Sequence, residues 1–166
     1  MNSFEPYATK AHEQYRIAKH LLEVTYPLMK DTKLLMGICI NILRCLENCS
    51  SAILAYEYQE QQNKNFPSTL QQKLSMLQTF SPSKTKIPKQ TLILTADLAA
   101  LEELHRKSPV EFSRNGRFVI CSKEFDLTTL GIDDLKRYLS SAAQYLAIMD
   151  SILPIPPKSS SSKRKA

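Results

Sequence analysis

The sequence predicts a mainly α fold: an up-and-down four-helix bundle with an extra short helix and one β-hairpin before the last helix. Three observations carry this expectation. Apolar residues recur at three- and four-residue steps along four long stretches, which puts them on one face of a helix. Glycine occurs only three times in 166 residues, at Gly37, Gly116 and Gly131, which argues against a β-rich fold and against a phosphate loop. Asn115-Gly116 lies between two short alternating runs, Val110–Arg114 and Arg117–Cys121, and Asn-Gly is the pair that best accepts the positive φ angles of a type I′ hairpin turn.

The elements follow in order. A first helix is expected from about Glu5 to Tyr26, with Tyr7, Ala11, Tyr15, Ala18, Leu22 and Thr25 on its inner face and Pro27 together with Lys30-Asp31 marking the turn. A second covers about Thr32 to Gln62 and is apolar nearly all round in its first half, as a central helix should be. Asn63 to Ser68 reads as a polar loop, with Ser68 capping a short helix over Thr69 to Thr79. The Ser81–Pro88 break leads into a helix from Lys89 to Arg106, with Leu94, Leu98, Leu101 and His105 along one side. The hairpin at 110–121 comes next, pinned by Phe112, Phe118 and Ile120, because a lone two-stranded ribbon is marginal in water. Gly131 or Thr129 then caps the last helix, Ile132 to Ile152, where Asp133 and Asp134 favour the exposed amides of the first turn.

A single domain over residues 1–153 accounts for this pattern, and residues 154–166 read as a disordered, Ser/Lys-rich basic tail. Lys158, Lys163, Arg164 and Lys165 supply four of the net charge of +6, so the body stands near +2 and a general nucleic-acid-binding surface does not follow from net charge. The stretch from His105 to Arg117 is the locally basic one, with Arg106, Lys107, Arg114 and Arg117 against Glu111 alone. Cys39, Cys45, Cys49 and Cys121 show no CxxC spacing and suit reduced thiols. The polar N-terminus does not read as a signal peptide, and the stretch Leu34 to Leu46, broken by Asn41 and Arg44, is short for a bilayer span. A cytoplasmic protein with no membrane partner is the expectation.

Two groups of side chains are candidates for binding. On the second helix, Asn41, Arg44, Asn48 and Ser51 are spaced by three, four and three, a polar stripe on a greasy segment with Glu47 placed to pair with Arg44. Such a stripe implies a hydrogen-bond network, exposure, or a pocket in which Arg44 holds an anionic group. On the hairpin, Arg114 and Arg117 flank the turn, and Arg106 and Lys107 approach along the chain. Guanidinium groups grip phosphates or carboxylates, and Phe112 or Phe118 can stack a base if exposed. The bland alternative has the phenylalanines in the core and the arginines solubilising a ribbon edge. His12, His20 and His105 are too scattered for a metal site, and HExxH, GxSxG and Gly-rich nucleotide loops are all missing. No catalytic residue, metal or cofactor is assigned.

The segment Lys107-Ser108-Pro109-Val110-Glu111-Phe112-Ser113-Arg114, followed by Arg117-Phe118-Val119-Ile120-Cys121, resembles a family of archaeal helical proteins without an assigned activity. The likeness covers most of the chain up to about Met149. More distantly, a long helical hairpin followed by shorter helices is similar to HEPN-like bundles, many of them RNA-associated ribonucleases. Their signature places four to six residues between an arginine and a histidine. Here Arg16 and His20 are separated by three, and no histidine follows Arg106. The leading expectation is a non-enzymatic module that binds RNA or a protein partner through the basic hairpin surface, with Arg106, Lys107, Arg114 and Arg117, and Asn41, Arg44 and Asn48, as its binding residues. The alternatives are a HEPN-related ribonuclease-like enzyme and a structural homodimer.

Overall fold

A computed structural model of the chain describes residues 3–60 and 65–154. The fold is mainly helical with a small three-stranded antiparallel sheet. Helix α1 starts at Glu5–His20 and continues through a π-helical turn, Leu21–Thr25, into a last α turn, Tyr26–Met29. Helix α2 is Lys33–Glu60, α3 Leu70–Thr79, α4 Lys89–Lys107 and α5 Ile132–Ile152. The strands β1 (Val110–Arg114), β2 (Arg117–Cys121) and β3 (Leu127–Leu130) lie between α4 and α5. The expected tail from 155 onward, Asn63 and Lys64 of the expected loop, and Gln61 and Gln62 at the expected end of the second helix lie outside the described residues.

Helix α2 is the centre of the molecule. Leu35, Ile38, Cys39, Ile42, Leu43, Cys45, Leu46 and Cys49 through Ile53 are all buried, because α1, α3, α4 and α5 each pack against it. Its length and apolarity would also suit a membrane span, but most of it is covered by the rest of the fold. From α1 it takes Ala11, Ala18 and Leu22, and from α5 it takes Leu135, Ala142, Tyr145 and Met149. Tyr145 is fully buried, and its hydroxyl meets Ser50 Oγ at 2.8 Å, which satisfies a polar group that would otherwise be costly in an apolar core. At the far end of α2 the buried carboxylate of Glu57 accepts hydrogen bonds from Ser81 Oγ at 2.6 Å and Ser83 N at 3.0 Å, fixing the loop that leads to α4.

Two boundaries differ from expectation for physical reasons. Pro27 does not end α1. The π turn just before it changes the hydrogen-bond register, with Tyr26 N donating to Leu21 O, and a proline lacking its own N–H is carried into one more turn. The helix runs past Tyr26 to Met29 and ends at Lys30, within the expected Lys30-Asp31 turn, where Lys30 takes a left-handed conformation (φ 51°) with its amide on Tyr26 O at 2.7 Å. Likewise the cap of α3 is Thr69 rather than Ser68: Thr69 Oγ1 accepts from Gln72 N at 3.2 Å while Gln72 Oε1 accepts from Thr69 N at 3.3 Å, a reciprocal capping box.

The hairpin forms with the expected bounds, Asn115 (φ 52°) and Gly116 (φ 70°) making its turn and Arg114 facing Arg117. It is not a lone ribbon. A tight turn at 122–126, with Ser122 N on Asp126 O and Phe125 at φ 66°, returns the chain so that β3 pairs with β2. The register puts Phe118, Ile120 and Leu130 on the face that joins the core. Phe112 stands opposite Val119 on the other face, so it does not pin the sheet as expected, since side chains alternate along a strand.

Candidate binding site at the sheet end

The sheet caps one end of the helices. Thr32, just before α2, hydrogen-bonds Ser113 of β1; α4 runs directly into β1; β3 runs into α5. This junction collects most of the charged side chains singled out from sequence.

Asp134 in the first turn of α5 is its electrostatic hub. One carboxylate oxygen accepts from Gly131 N and from Arg117 Nη2, each at 2.9 Å, and the other from Arg137 Nη2 at 2.5 Å. Burial alone would raise this carboxyl, but the Gly131 amide and the Arg137 and Arg117 guanidiniums outweigh it and hold the group below its ordinary value. The close approach depends on Gly131: a Cβ there would sit 2.7 Å from the Arg117 guanidinium. Drawing Arg117 aside also relieves the repulsion of two arginines placed directly across the strands.

The other cations of the basic stretch are mostly partnered too. Arg106 and Lys107 share Glu103, one turn back on α4, with Lys107 Nζ at 2.9 Å. Among the described residues Arg114 is the hairpin cation without an ion pair, and it is exposed at the rim of the sheet. The polar stripe of α2 resolves into an internal network. Arg44 donates to Glu47 at 3.0 Å and to both oxygens of Glu102 on α4 at 2.8 and 2.6 Å. Its guanidinium pKa is raised, chiefly by the bond to Glu102, and Glu47 is raised by desolvation despite Arg44. Asn41 donates to Gly37 O and Asn48 to Arg44 O, each one turn back, while Lys73 of α3 donates to Ser51 Oγ. Arg44 and Ser51 therefore sit where α4 and α3 meet α2, Asn41 and Asn48 bond back onto their own helix, and Arg44 already holds two carboxylates.

Two features escaped the sequence. On the outer face of the sheet Val110 (53% exposed), Phe112 (39%) and Leu127 (55%) ring the buried Val119, and Phe125 (84%) projects from the adjoining turn. On the inner side, a cleft of about 430 Å³ opens where α2, α4 and the hairpin meet, lined in part by Lys33, Met36, Gly37, His105, Glu111 and Phe118. His105 Nδ1 lies 2.5 Å from Glu111 Oε1, and its ring stands edge-on to Phe118 at 6.1 Å. Glu111 shares the inner face with Phe118 and Ile120, which turns it toward His105 and away from Arg114. Among the hydrogen bonds of the described residues no arginine reaches a histidine: His12 meets Asp150 and His105 meets Glu111. No grouping of three metal-ligating side chains occurs among them.

Comparison with family models, with curated proteins and with solved structures gives no match for this chain.

Proposed function

We propose that this protein is a non-enzymatic helical module that docks a protein partner on the outer face of its sheet, with Arg114 supplying a charged contact at the rim. One observation supports the reading above the rest: Val110, Phe112 and Leu127 are exposed on a single face of the three-stranded sheet. Burying apolar surface contributes roughly 25 cal/mol per Å². A contiguous apolar face edged by polar groups is the usual surface for a protein partner. Glu103, shared by Arg106 and Lys107, and Asp134, shared by Arg117 and Arg137, halve the positive charge of this region, which weighs against phosphate as the main target, because nucleic-acid affinity scales with the free cations that displace counterions. In this reading the four long helices act as an up-and-down, HEPN-like bundle whose role is to hold the sheet stiff.

A second reading, single-stranded RNA, draws support from the exposed rings of Phe112 and Phe125 near Arg114, since bases stack on aromatic side chains. The two readings separate in one experiment. Tagged wild-type chain and a Phe112→Ser/Leu127→Ser variant, matched for helicity by circular dichroism, are recovered from native cells with and without nuclease. The expected result is one protein in stoichiometric amount, nuclease-resistant, and lost with the double variant. Equal recovery from both chains overturns the docking face, and recovery abolished by nuclease transfers the site to RNA. Light scattering of the purified chain identifies the case in which the partner is a second copy.

A further inference from the structure

The inner cleft carries a separate inference. Gly37 occupies the fifth position of the 28-residue helix α2, where glycine costs about 0.5–1 kcal/mol relative to alanine. Packing does not explain it: a Cβ at this position would have nothing within 4 Å, and no positive φ demands glycine there. What the missing side chain provides is room, because Gly37 lines the cleft together with Met36, Lys33, His105 and Phe118.

The walls define a chemistry. Met36 and Phe118, both nearly fully buried, floor the cleft and Ile40 adds a partly exposed apolar side chain, while Lys33 brings an ammonium with no ion pair among the described residues. His105 has its Nδ1 engaged by Glu111, which fixes the ring and leaves Nε2 as the nitrogen available to a ligand. Charge decides between anions. Lys33 is the one lysine or arginine of the wall and has no ion pair among the described residues, which suits a single negative charge, whereas a phosphate dianion would keep an unmatched charge beside Glu111. The volume of about 430 Å³ falls within the range of small-molecule sites.

We propose that this cleft binds a compact hydrophobic carboxylate, its carboxyl group between Lys33 and His105 Nε2 and its apolar body over Gly37 against Met36 and Phe118. Phenylacetate is a suitable probe, with inorganic phosphate and benzyl alcohol as controls, titrated into the full chain and followed by amide and methyl NMR shifts. Saturable shifts are expected at Met36, Gly37, His105 and Phe118 with phenylacetate, and not with either control. Gly37→Leu, which should retain or improve helix stability, fills the cleft and should abolish the shifts. Lys33→Ala should weaken binding roughly tenfold or more, as loss of a charge-assisted hydrogen bond does. Absence of saturation, equal binding by Gly37→Leu, or preference for phosphate would each overturn the proposal.

Discussion

Replacing Asp134 with alanine tests how the sheet is fastened to the helices. The substitution removes three things: the acceptor for the Gly131 amide at the start of α5, the half-exposed pair with Arg117, and the exposed pair with Arg137. A lost helix cap costs about 1 kcal/mol. The Arg117 pair adds up to about 1 kcal/mol, discounted for solvent screening, and the one-turn pair with Arg137 a further ~0.3 kcal/mol. The sum is about 2 kcal/mol, which for a domain of this size lowers the melting temperature by roughly 4–8 °C. Thermal unfolding followed by circular dichroism at neutral pH measures it, and Arg117→Ala should reproduce the smaller part. The pH dependence supplies the sign. A carboxyl whose folded value lies below its unfolded value of ~3.9 stabilises fully above that value, and the gain disappears as pH falls through the lower, folded one. The wild-type and Asp134→Ala melting temperatures should therefore converge as pH is lowered from ~5 to ~2. A gap below ~2 °C at neutral pH, or one that persists unchanged at pH ~2, refutes the reasoning.

Two further outcomes are expected. Lys30 closes α1 in a left-handed conformation that costs a side-chain-bearing residue about 1 kcal/mol, so Lys30→Gly should raise stability by up to that amount in urea denaturation. Burial pushes the Cys39 thiol up to about 12 and raises Cys49 as well, while Cys121 is only half-buried. Iodoacetamide on the native protein should thus label Cys121 first, with Cys39, Cys45 and Cys49 reacting only on unfolding, as intact mass and peptide mapping would show.

Local signals were the legible ones. Asn115-Gly116 placed both hairpin strands, and the three-and-four spacing of Ala11, Ala18 and Leu22 or of Leu135, Ala142 and Met149 found the buried faces of α1 and α5. Strand β3 was not legible, because Leu127 and Leu130 fall on opposite faces and give no alternation, and its pairing depends on a turn with a non-glycine residue, Phe125, at positive φ. The same divide runs through the site. Glu103 stands three and four residues before Arg106 and Lys107, a helix-surface pairing that spacing alone reveals. Asp134 reaches Arg117 across 17 residues and Glu102 reaches Arg44 across 58, so local charge density overstated the free cations. His105 and Glu111, six residues apart, meet across the junction of α4 with β1, where the helical repeat gives way to strand alternation.

The two ends of α2 are secured by different forces. Near its start, the sheet is tied to α5 by the partly solvated ion pair of Arg117 and Asp134; near its finish, Glu57 is gripped by neutral hydroxyl and amide donors with little solvent access. Dissolved electrolyte weakens the first kind of tie and leaves the second almost untouched. Salt should consequently take up to about 1 kcal/mol from the sheet end alone, while Phe118, Ile120 and Leu130 keep the strands seated on the core and the loop before α4 stays anchored, so that weakening acquires a direction along the central helix.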